Sequence, residues 1–155
     1  MPVKPIPDGY HAITPYLIVD GAARAIDFYK RAFGATEIMR MPAPNGRIGH
    51  AEVRIGDSAI MLADEFPEMG IVSPQTLGGT YMALHLLVAD VDAVWQRALD
   101  AGAEVFRPLQ DSFWGERSGQ VIDPFGHRWG LAQHLRDVSP EELLRAAQEM
   151  FANRE

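Results

Sequence analysis

The sequence predicts an α+β fold made of two copies of one strand–helix–three-strand (βαβββ) unit, with an extra C-terminal helix. Strand-like and helix-like runs follow one another in the same order in each half of the 155 residues. The pair Gly-Ala follows each long helical run, at Gly34 and again at Gly102. The repeat is too long for a solenoid, so the pattern indicates a duplicated module within one domain.

The first unit is predicted over residues 10–64. It opens with a strand at 13–19, where Pro15 indicates a sheet edge or a strand beginning. A helix follows, because apolar residues recur at helical spacing up to Phe33, and Gly34 ends it. Strands are then predicted at 36–41, 50–55 and 58–63. The last two flank Gly56-Asp57, which has the length of a two-residue hairpin turn.

A polar linker at 65–80 separates this unit from the second, predicted over 81–134. Its strand at 82–88 precedes a helix that Asp90 can cap and Gly102 ends. Strands are predicted at 104–107, 119–122 and 128–133, and the tight connection Asp123-Pro-Phe-Gly126 joins the last two. The final helix, at 139–152, begins with Ser139-Pro-Glu-Glu142, the pattern of a capping box.

Composition excludes several classes of function. The chain has no cysteine, which rules out disulfides and thiolate chemistry and suits a reducing compartment. Its net charge is −7 and its basic residues are scattered, so we expect no nucleic-acid partner. No run approaches the roughly 20 apolar residues of a membrane span, and the first residues lack the apolar core of a signal peptide. We therefore expect a cytoplasmic protein without a membrane partner.

Three segments carry a resemblance to a known superfamily. They are Ile26-Asp-Phe-Tyr-Lys-Arg-Ala-Phe-Gly-Ala35, His85-Leu-Leu-Val-Ala-Asp-Val-Asp92 and Asp123-Pro-Phe-Gly-His-Arg-Trp129. With the duplicated unit, they resemble the vicinal oxygen chelate superfamily, which includes glyoxalase I, extradiol dioxygenases and bleomycin-resistance proteins. The resemblance spans roughly residues 10–134 and is greatest to the PhnB-like, glyoxalase-like branch. It implies the glyoxalase/bleomycin-resistance fold, with a cavity walled by the two sheets.

The resemblance also implies where a metal would bind. The metal enzymes of the superfamily take one ligand from the first and one from the last strand of each unit. In this chain those positions fall on Thr14, Met61, Ala83 and Gly130. None of these side chains is a usual ligand of a divalent metal, so the usual glyoxalase site cannot form. We predict no cofactor at these positions.

Strand parity suggests a displaced site. Pairing across Gly56-Asp57 places His50 and Glu52 on the same face as Met61, and His85 shares the face of Ala83. These three are the candidate catalytic residues, with Glu116 as a further ligand if Zn, Ni, Mn or Fe(II) binds. Such a site would suit a lyase, an isomerase or a dioxygenase. Alternatively, His50 and Glu52 form an ordinary hydrogen-bonded pair and His85 belongs to the core.

A third interpretation needs no metal. A few polar groups that converge in an apolar pocket are the usual form of a small-molecule site. Counting back from Gly130 through a four-residue turn brings Gly119 and Arg117 to the inner face, where Arg117 would suit an anionic group unless it forms a surface salt bridge. The candidate ligand contacts are side chains near the predicted cavity: Thr14, Tyr16, Met61, Trp114, Glu116 and Arg117.

Two functions therefore remain. The first is a small-molecule binding protein of the bleomycin-resistance type, which the lost metal positions favour. The alternative is a metal-dependent or acid–base lyase, isomerase or dioxygenase at His50, Glu52 and His85. The distance between His50 and His85 distinguishes the two functions, because a displaced metal site requires these two side chains to approach each other across the cavity. The resemblance also implies a homodimer, for which the apolar face of the final helix and the linker around Ile71 offer surface.

Overall fold

The computed structural model describes residues 2–154. Over this range, the strands are β1 Tyr16–Val19, β2 Thr36–Pro42, β3 Ile48–Ile55, β4 Ser58–Asp64, β5 Ala83–Leu87, β6 Glu104–Asp111, β7 Glu116–Ile122 and β8 Arg128–His134. The helices are α1 Ala22–Phe33, α2 Pro74–Leu77, α3 Val91–Asp100 and α4 Pro140–Ala152. Within residues 2–154, none of these helices is long and apolar enough to cross a membrane.

The strands form two four-stranded mixed sheets of identical topology. The first has the order β1-β4-β3-β2 and the second the order β5-β8-β7-β6. In each sheet the first strand is parallel to the last strand of its unit, and the other pairs are antiparallel. The predicted α+β fold, with its duplicated module and extra C-terminal helix, is confirmed.

The first unit is organised around α1 and the carboxylate of Asp64. The apolar face of α1 is buried, and the helix ends at Gly34, whose φ of 68° is left-handed. Asp64 Oδ1 accepts hydrogen bonds from the backbone N–H groups of Gly21 and Ala22, both at 2.8 Å. Its Oδ2 accepts from the N–H of Ile48 at 2.7 Å. One buried side chain thus ties the end of β4 to the start of α1 and the start of β3.

The two units meet through their helices and through aromatic side chains. Helix α1 packs against α3, and the ring of Phe33 lies 4.7 Å from that of Trp129 on β8, centroid to centroid. Buried Asp123 accepts hydrogen bonds from Tyr29 Oη at 2.7 Å and from Trp129 Nε1 at 2.9 Å. Burial, with the Asp123 carboxylate, raises the pKa of Tyr29 well above its ordinary value. The helices therefore cover one face of each sheet, and we call the other face the open face.

Helix α4 stands apart from this core. Ser139 caps it as predicted, because its Oγ accepts a hydrogen bond from the Glu142 N–H at 3.1 Å. The carboxylate of Glu142, however, accepts from Arg136 at 3.2 Å instead of reaching back to the cap, so this contact replaces the second half of the predicted capping box. Every residue of α4 is at least partly exposed. Its apolar side chains, which include Leu144 and Phe151, thus remain in contact with solvent.

Candidate functional site

The open face of the first sheet carries a continuous chain of four hydrogen-bonded side chains. Tyr16 Oη lies 2.8 Å from His50 Nδ1, and His50 Nε2 lies 3.2 Å from Glu52 Oε1. Tyr10, in the arm before β1, donates its hydroxyl proton to Glu52 Oε2. The register predicted for the β3–β4 hairpin is confirmed, since Glu52 pairs with Met61. This pairing places Glu52 beside Met61, one of the four positions at which the resemblance implied a metal ligand.

Electrostatics fixes the proton positions in this chain. The hydrogen bond from Tyr10 is the main influence that lowers the pKa of Glu52; burial opposes it and His50 adds to it. Burial, together with the charge of Glu52, raises the pKa of Tyr16. At neutral pH, Glu52 is therefore an anion and Tyr16 a neutral phenol. A proton on His50 Nε2 would face the carboxylate of Glu52, and Nδ1 would then accept a hydrogen bond from the Tyr16 hydroxyl.

A cavity of about 450 Å³ lies beside Tyr16. Its walls come from β1, β4 and the segment after β4, and they are mostly apolar: Tyr16, Ile18, Ala63, Phe66, Ile71 and Val72. Tyr16 is the first of the four hydrogen-bonded side chains, and His50 separates it from Glu52. A small molecule in this cavity would therefore lie beside a phenol that is connected to an imidazole and a carboxylate.

The open face of the second sheet carries a separate polar cluster. Trp114 Nε1 donates to Glu116 Oε2 at 3.2 Å, and His85 Nε2 lies 3.6 Å from the same oxygen. These three side chains line a cavity of about 200 Å³, with Arg107, Gln110, Ser118 and Gln120 among the other walls. The side-chain oxygen of Gln120 is buried and has no hydrogen-bond partner in the described structure. Such an unmet acceptor is uncommon and needs an explanation.

Gly130 makes room for this cluster. It pairs with His85 across β5 and β8, and a Cβ at Gly130 would lie 2.7 Å from His85 Nδ1. The loss of a side chain at one of the four inferred metal positions therefore lets the imidazole lie over the backbone. Ala83, another of these positions, precedes His85 by two residues and shares its side of β5.

A further cavity of about 240 Å³ lies between the two units. It is lined by Thr14, which lies just before β1, by His85 on β5, and by apolar residues that include Ile60 and Leu84. His85 therefore borders two cavities, the one between the units and the one on the second sheet. Of the predicted ligand contacts, Thr14 belongs to the first cavity, and Trp114 and Glu116 belong to the second.

The predicted inward orientation of Arg117 and Gly119 is wrong. The loop between β7 and β8 has five residues, 123–127, instead of four, because the side chain of Asp123 accepts from the N–H groups of Phe125 and His127 and closes a longer turn. The register shifts by one residue, so Gln120 is the partner of Gly130. Arg117 points to the helix side, where it bonds Asp92 at 2.9 Å and Asp111 at 2.7 Å.

The donor set does not suit a divalent metal. The four side chains of the predicted displaced site form two pairs on different sheets, His50 with Glu52 and His85 with Glu116. Between residues 2 and 154, no three His, Cys, Asp or Glu side chains are grouped so that they could hold a metal ion. A metal site usually has at least three protein ligands. Each pair is better suited to hydrogen bonding or proton transfer.

Two residues of these clusters were not predicted from the sequence. Tyr10 lies in the Pro-rich opening arm, where no periodicity indicates a side-chain direction. Gln120 was missed because the turn length was misjudged, although a signal exists. Trp129 and its strand partner Val121 are both buried apolar residues. Gln120, the neighbour of Val121, therefore has to face the opposite side.

Known proteins of similar sequence and of similar structure share this fold. The uncharacterized protein Mb0911c of Mycobacterium bovis is 50% identical over 135 residues, which cover 85% of this chain and 89% of the relative. TioX from Micromonospora sp. ML1 has 29% sequence identity and a TM-score of 0.62, over 83% of this chain and all of TioX. The PhnB protein from Bacillus cereus has the same fold, with 19% identity, a TM-score of 0.61, and coverage of 79% and 99%.

The match to a protein family spans most of the chain and both units. Residues 10–131 match it, from the arm that carries Tyr10 to the middle of β8. The range includes both open faces and every side chain of the two polar clusters described above. The chain belongs to the Glyoxalase/Bleomycin resistance protein/Dioxygenase superfamily.

Proposed function

We propose that this protein binds a small organic molecule on the open face of the second sheet. The observation that carries the proposal is the convergence of His85, Trp114 and Glu116 around a cavity in which the buried oxygen of Gln120 has no partner. A small set of polar groups beside an aromatic surface is typical of ligand sites. A buried acceptor without a donor costs about 1–3 kcal/mol, which a ligand that donates a hydrogen bond to it would offset.

The residues at the four inferred metal positions support binding over glyoxalase chemistry. Thr14, Met61, Ala83 and Gly130 supply neither imidazole nor carboxylate. At Gly130, the vacated space is filled by the imidazole of His85. His85 also borders the cavity between the units, so a ligand that contacts this side chain lies next to a second, mostly apolar cavity.

Affinity selection followed by mass spectrometry tests this function. Untagged protein is incubated with small-molecule extracts and a compound library, and retained compounds are identified. Ser118→Trp fills the cavity on the second sheet, whereas Glu104→Trp places the same bulk at an exposed position of the same sheet. We expect compounds retained by the wild type and by Glu104→Trp and released by Ser118→Trp. Retention that is equal in all three proteins would place the ligand elsewhere and contradict the proposal.

The chain Tyr16–His50–Glu52 favours a second candidate function, an acid–base lyase or isomerase on the first sheet. It has the order of a reacting hydroxyl, a base and an orienting carboxylate. His50 Nδ1 would take the Tyr16 proton while the Tyr16 oxygen removes a proton from the carbon beside a carbonyl group of a bound molecule, and Glu52 would stabilise the imidazolium. The reverse transfers, from His50 to Tyr16 and from Tyr16 to the carbon, would then complete the exchange. His85, the third residue predicted as catalytic, contacts Glu116 on the other sheet and would take no part.

Proton exchange tests this second candidate. A panel of small ketones and aldehydes is incubated with the protein in deuterated water, and exchange at the carbon next to the carbonyl is followed by NMR. The wild type should exchange at least one compound, and Tyr16→Phe and His50→Gln should lose this activity. Ser118→Trp should retain it, because Ser118 lies on the other sheet. Exchange that survives in Tyr16→Phe would rule out Tyr16 as the group that removes and returns the proton.

A further inference from the structure

We infer that the cavity on the second sheet receives the cationic end of its ligand, a protonated amine or an amidinium group attached to an apolar body. The inference rests on the proposed binding function and adds the chemical class of the ligand. It follows from three neighbouring features: a carboxylate whose charge has only one distant ion-pair partner, an aromatic face held beside it, and a hydrogen-bond acceptor that lacks a donor.

The carboxylate is that of Glu116, whose side chain is only 22% exposed. Among the residues described, its single ion-pair contact is His85, at the long distance of 3.6 Å. Of the neighbouring arginines, Arg117 bonds Asp92 and Asp111, and Arg136 bonds Glu142, whereas Arg107 lines the cavity without a contact to Glu116 among the ion pairs described. An anion withdrawn from water is stabilised by a hydrogen-bonded cation, and this carboxylate still has the capacity to accept one.

The aromatic face belongs to Trp114. Its indole N–H donates to Glu116, which holds the ring beside the carboxylate. Phe113 packs against the ring nearly at a right angle, with centroids 5.0 Å apart, and Trp114 remains 43% exposed. A cation that binds Glu116 would therefore lie next to an accessible indole. Indole is the aromatic group that attracts cations most strongly.

The remaining acceptor is the side-chain oxygen of Gln120, which is buried without a partner. Gln120 and Ser118 both line the cavity. A ligand N–H that enters beside Gln120 would donate a hydrogen bond to this oxygen and satisfy it. A protonated amine or an amidinium carries several such donors. It can therefore serve Glu116 and Gln120 together, which an ether, a ketone or a carboxylate cannot do.

One cation also lines the cavity, and it makes the inference testable. Arg107 lies on β6, and its guanidinium sits 5.8 Å from the ring centre of Phe106 on the same strand. It would repel a cationic ligand and attract an anionic one. Replacing Arg107 with glutamine should therefore strengthen the binding of a cation. It would weaken the binding of an anion.

Three probes of the same size and shape test the ligand class: benzamidine, which is a cation at neutral pH, neutral benzamide and anionic benzoate. Each is titrated into the full-length protein at low salt, and the indole N–H signal of Trp114 is followed by NMR. That signal is assigned with Trp114→Phe. We expect benzamidine to bind at least tenfold more tightly than the other two, because a hydrogen bond between two charged groups is stronger than one that involves a neutral group.

Two variants and a control complete the experiment. Glu116→Gln should weaken benzamidine binding about tenfold, and Arg107→Gln should strengthen it. Glu104→Gln removes an exposed carboxylate from the same sheet and should change nothing. Preferential binding of benzoate, or a loss of affinity in Arg107→Gln, would overturn the cationic class and leave the binding function intact. If none of the probes moves the Trp114 signal, the cationic class is also wrong, and the affinity selection judges the binding function separately.

Discussion

At the scale of single residues, the open face of the first sheet depends on a side chain that lies far from it in sequence. Tyr10 belongs to the arm before β1, and it donates a hydrogen bond to Glu52 on β3. Arg54, two residues after Glu52, holds the same arm by donating to the Gly9 carbonyl at 2.8 Å. The arm therefore contributes to the charge state of the site as well as covering part of it.

We predict that Tyr10→Phe destabilises the protein by about 1 kcal/mol at neutral pH, the usual contribution of one hydrogen bond. The Tyr10 hydroxyl is the main influence that lowers the pKa of Glu52 in the folded state. A lowered carboxylate pKa stabilises the fold above the pKa of the unfolded chain, and this contribution disappears as the pH falls through the folded value. The difference between the two proteins should therefore shrink in acid.

Chemical denaturation between pH 7 and pH 3 measures this effect. Tyr81→Phe is the control, because Tyr81 is 94% exposed and its loss should leave the free energy of unfolding unchanged at every pH. A destabilisation by Tyr10→Phe that is constant across the pH range would show that the hydroxyl acts through packing alone. It would also remove the support for an anionic Glu52 stabilised by the arm.

The sequence predicts the orientation of some side chains at the site but not of others. His50 and Glu52 were placed on the correct face because the Gly56-Asp57 turn has a readable length, and strand register fixes every side chain beyond it. Arg117 was misplaced because the loop between β7 and β8 has five residues and is closed by the side chain of Asp123. The sequence of this loop is equally compatible with a four-residue turn. Distances between the two sheets depend on helix packing, and strand parity carries no information about them.

At the scale of elements, Asp64 links three separate backbone segments. Its two oxygens accept from Gly21, Ala22 and Ile48, so the start of α1 has its free N–H groups satisfied by a residue of β4. Helix α1 itself lacks a side-chain cap, since Gly21 occupies the position before it. The carboxylate of Asp64 therefore replaces a local cap and at the same time fixes the position of the helix on the sheet.

We expect Asp64→Asn to destabilise the protein by about 2 kcal/mol, because the amide can replace only one acceptor oxygen and its NH₂ group would face the N–H of another segment. Thermal and urea unfolding measure the change. Asp27→Asn is the matched control, since Asp27 lies on the exposed side of α1. Equal stability of the two variants would mean that α1 is held by its apolar face alone.

Elements with a regular pattern were predictable, and elements without one were not. Helix α1 matches its prediction because apolar spacing and a terminal glycine define it from within. Strands β6 and β7 extend beyond their predicted ranges, to Asp111 and from Glu116. Their added residues are mainly polar or exposed, and they are held by cross-strand hydrogen bonds that leave no mark in the sequence pattern.

At the scale of the whole molecule, we propose that the chain forms a homodimer through α4. Every residue of this helix is at least partly exposed, although one side of it is apolar, with Leu144 63% and Phe151 61% exposed. An isolated helix of this length is marginal in water unless its apolar face is covered. A second copy of the chain can supply that cover, because the same face on both chains can pack around a twofold axis.

Light scattering of the wild type should give the mass of two chains, and Leu144→Glu with Phe151→Glu should reduce it to one. The paired change Arg145→Glu with Glu149→Arg is the control, because it exchanges charges on the same helix without adding a charge to the apolar side. A wild type that stays monomeric at high concentration would exclude the dimer. A variant that remains dimeric would place the contact elsewhere.

The junction between the two units has a consequence for how such a protein can diverge. The sheets are separate, and the units are joined by α1, α3 and side-chain contacts such as Tyr29 with Asp123. Substitutions on one open face therefore leave the hydrogen bonding of the other sheet unchanged, and their effects on stability should add. One half of the gene can therefore accumulate substitutions on its open face while the other half keeps the fold and the side chains of its own sheet.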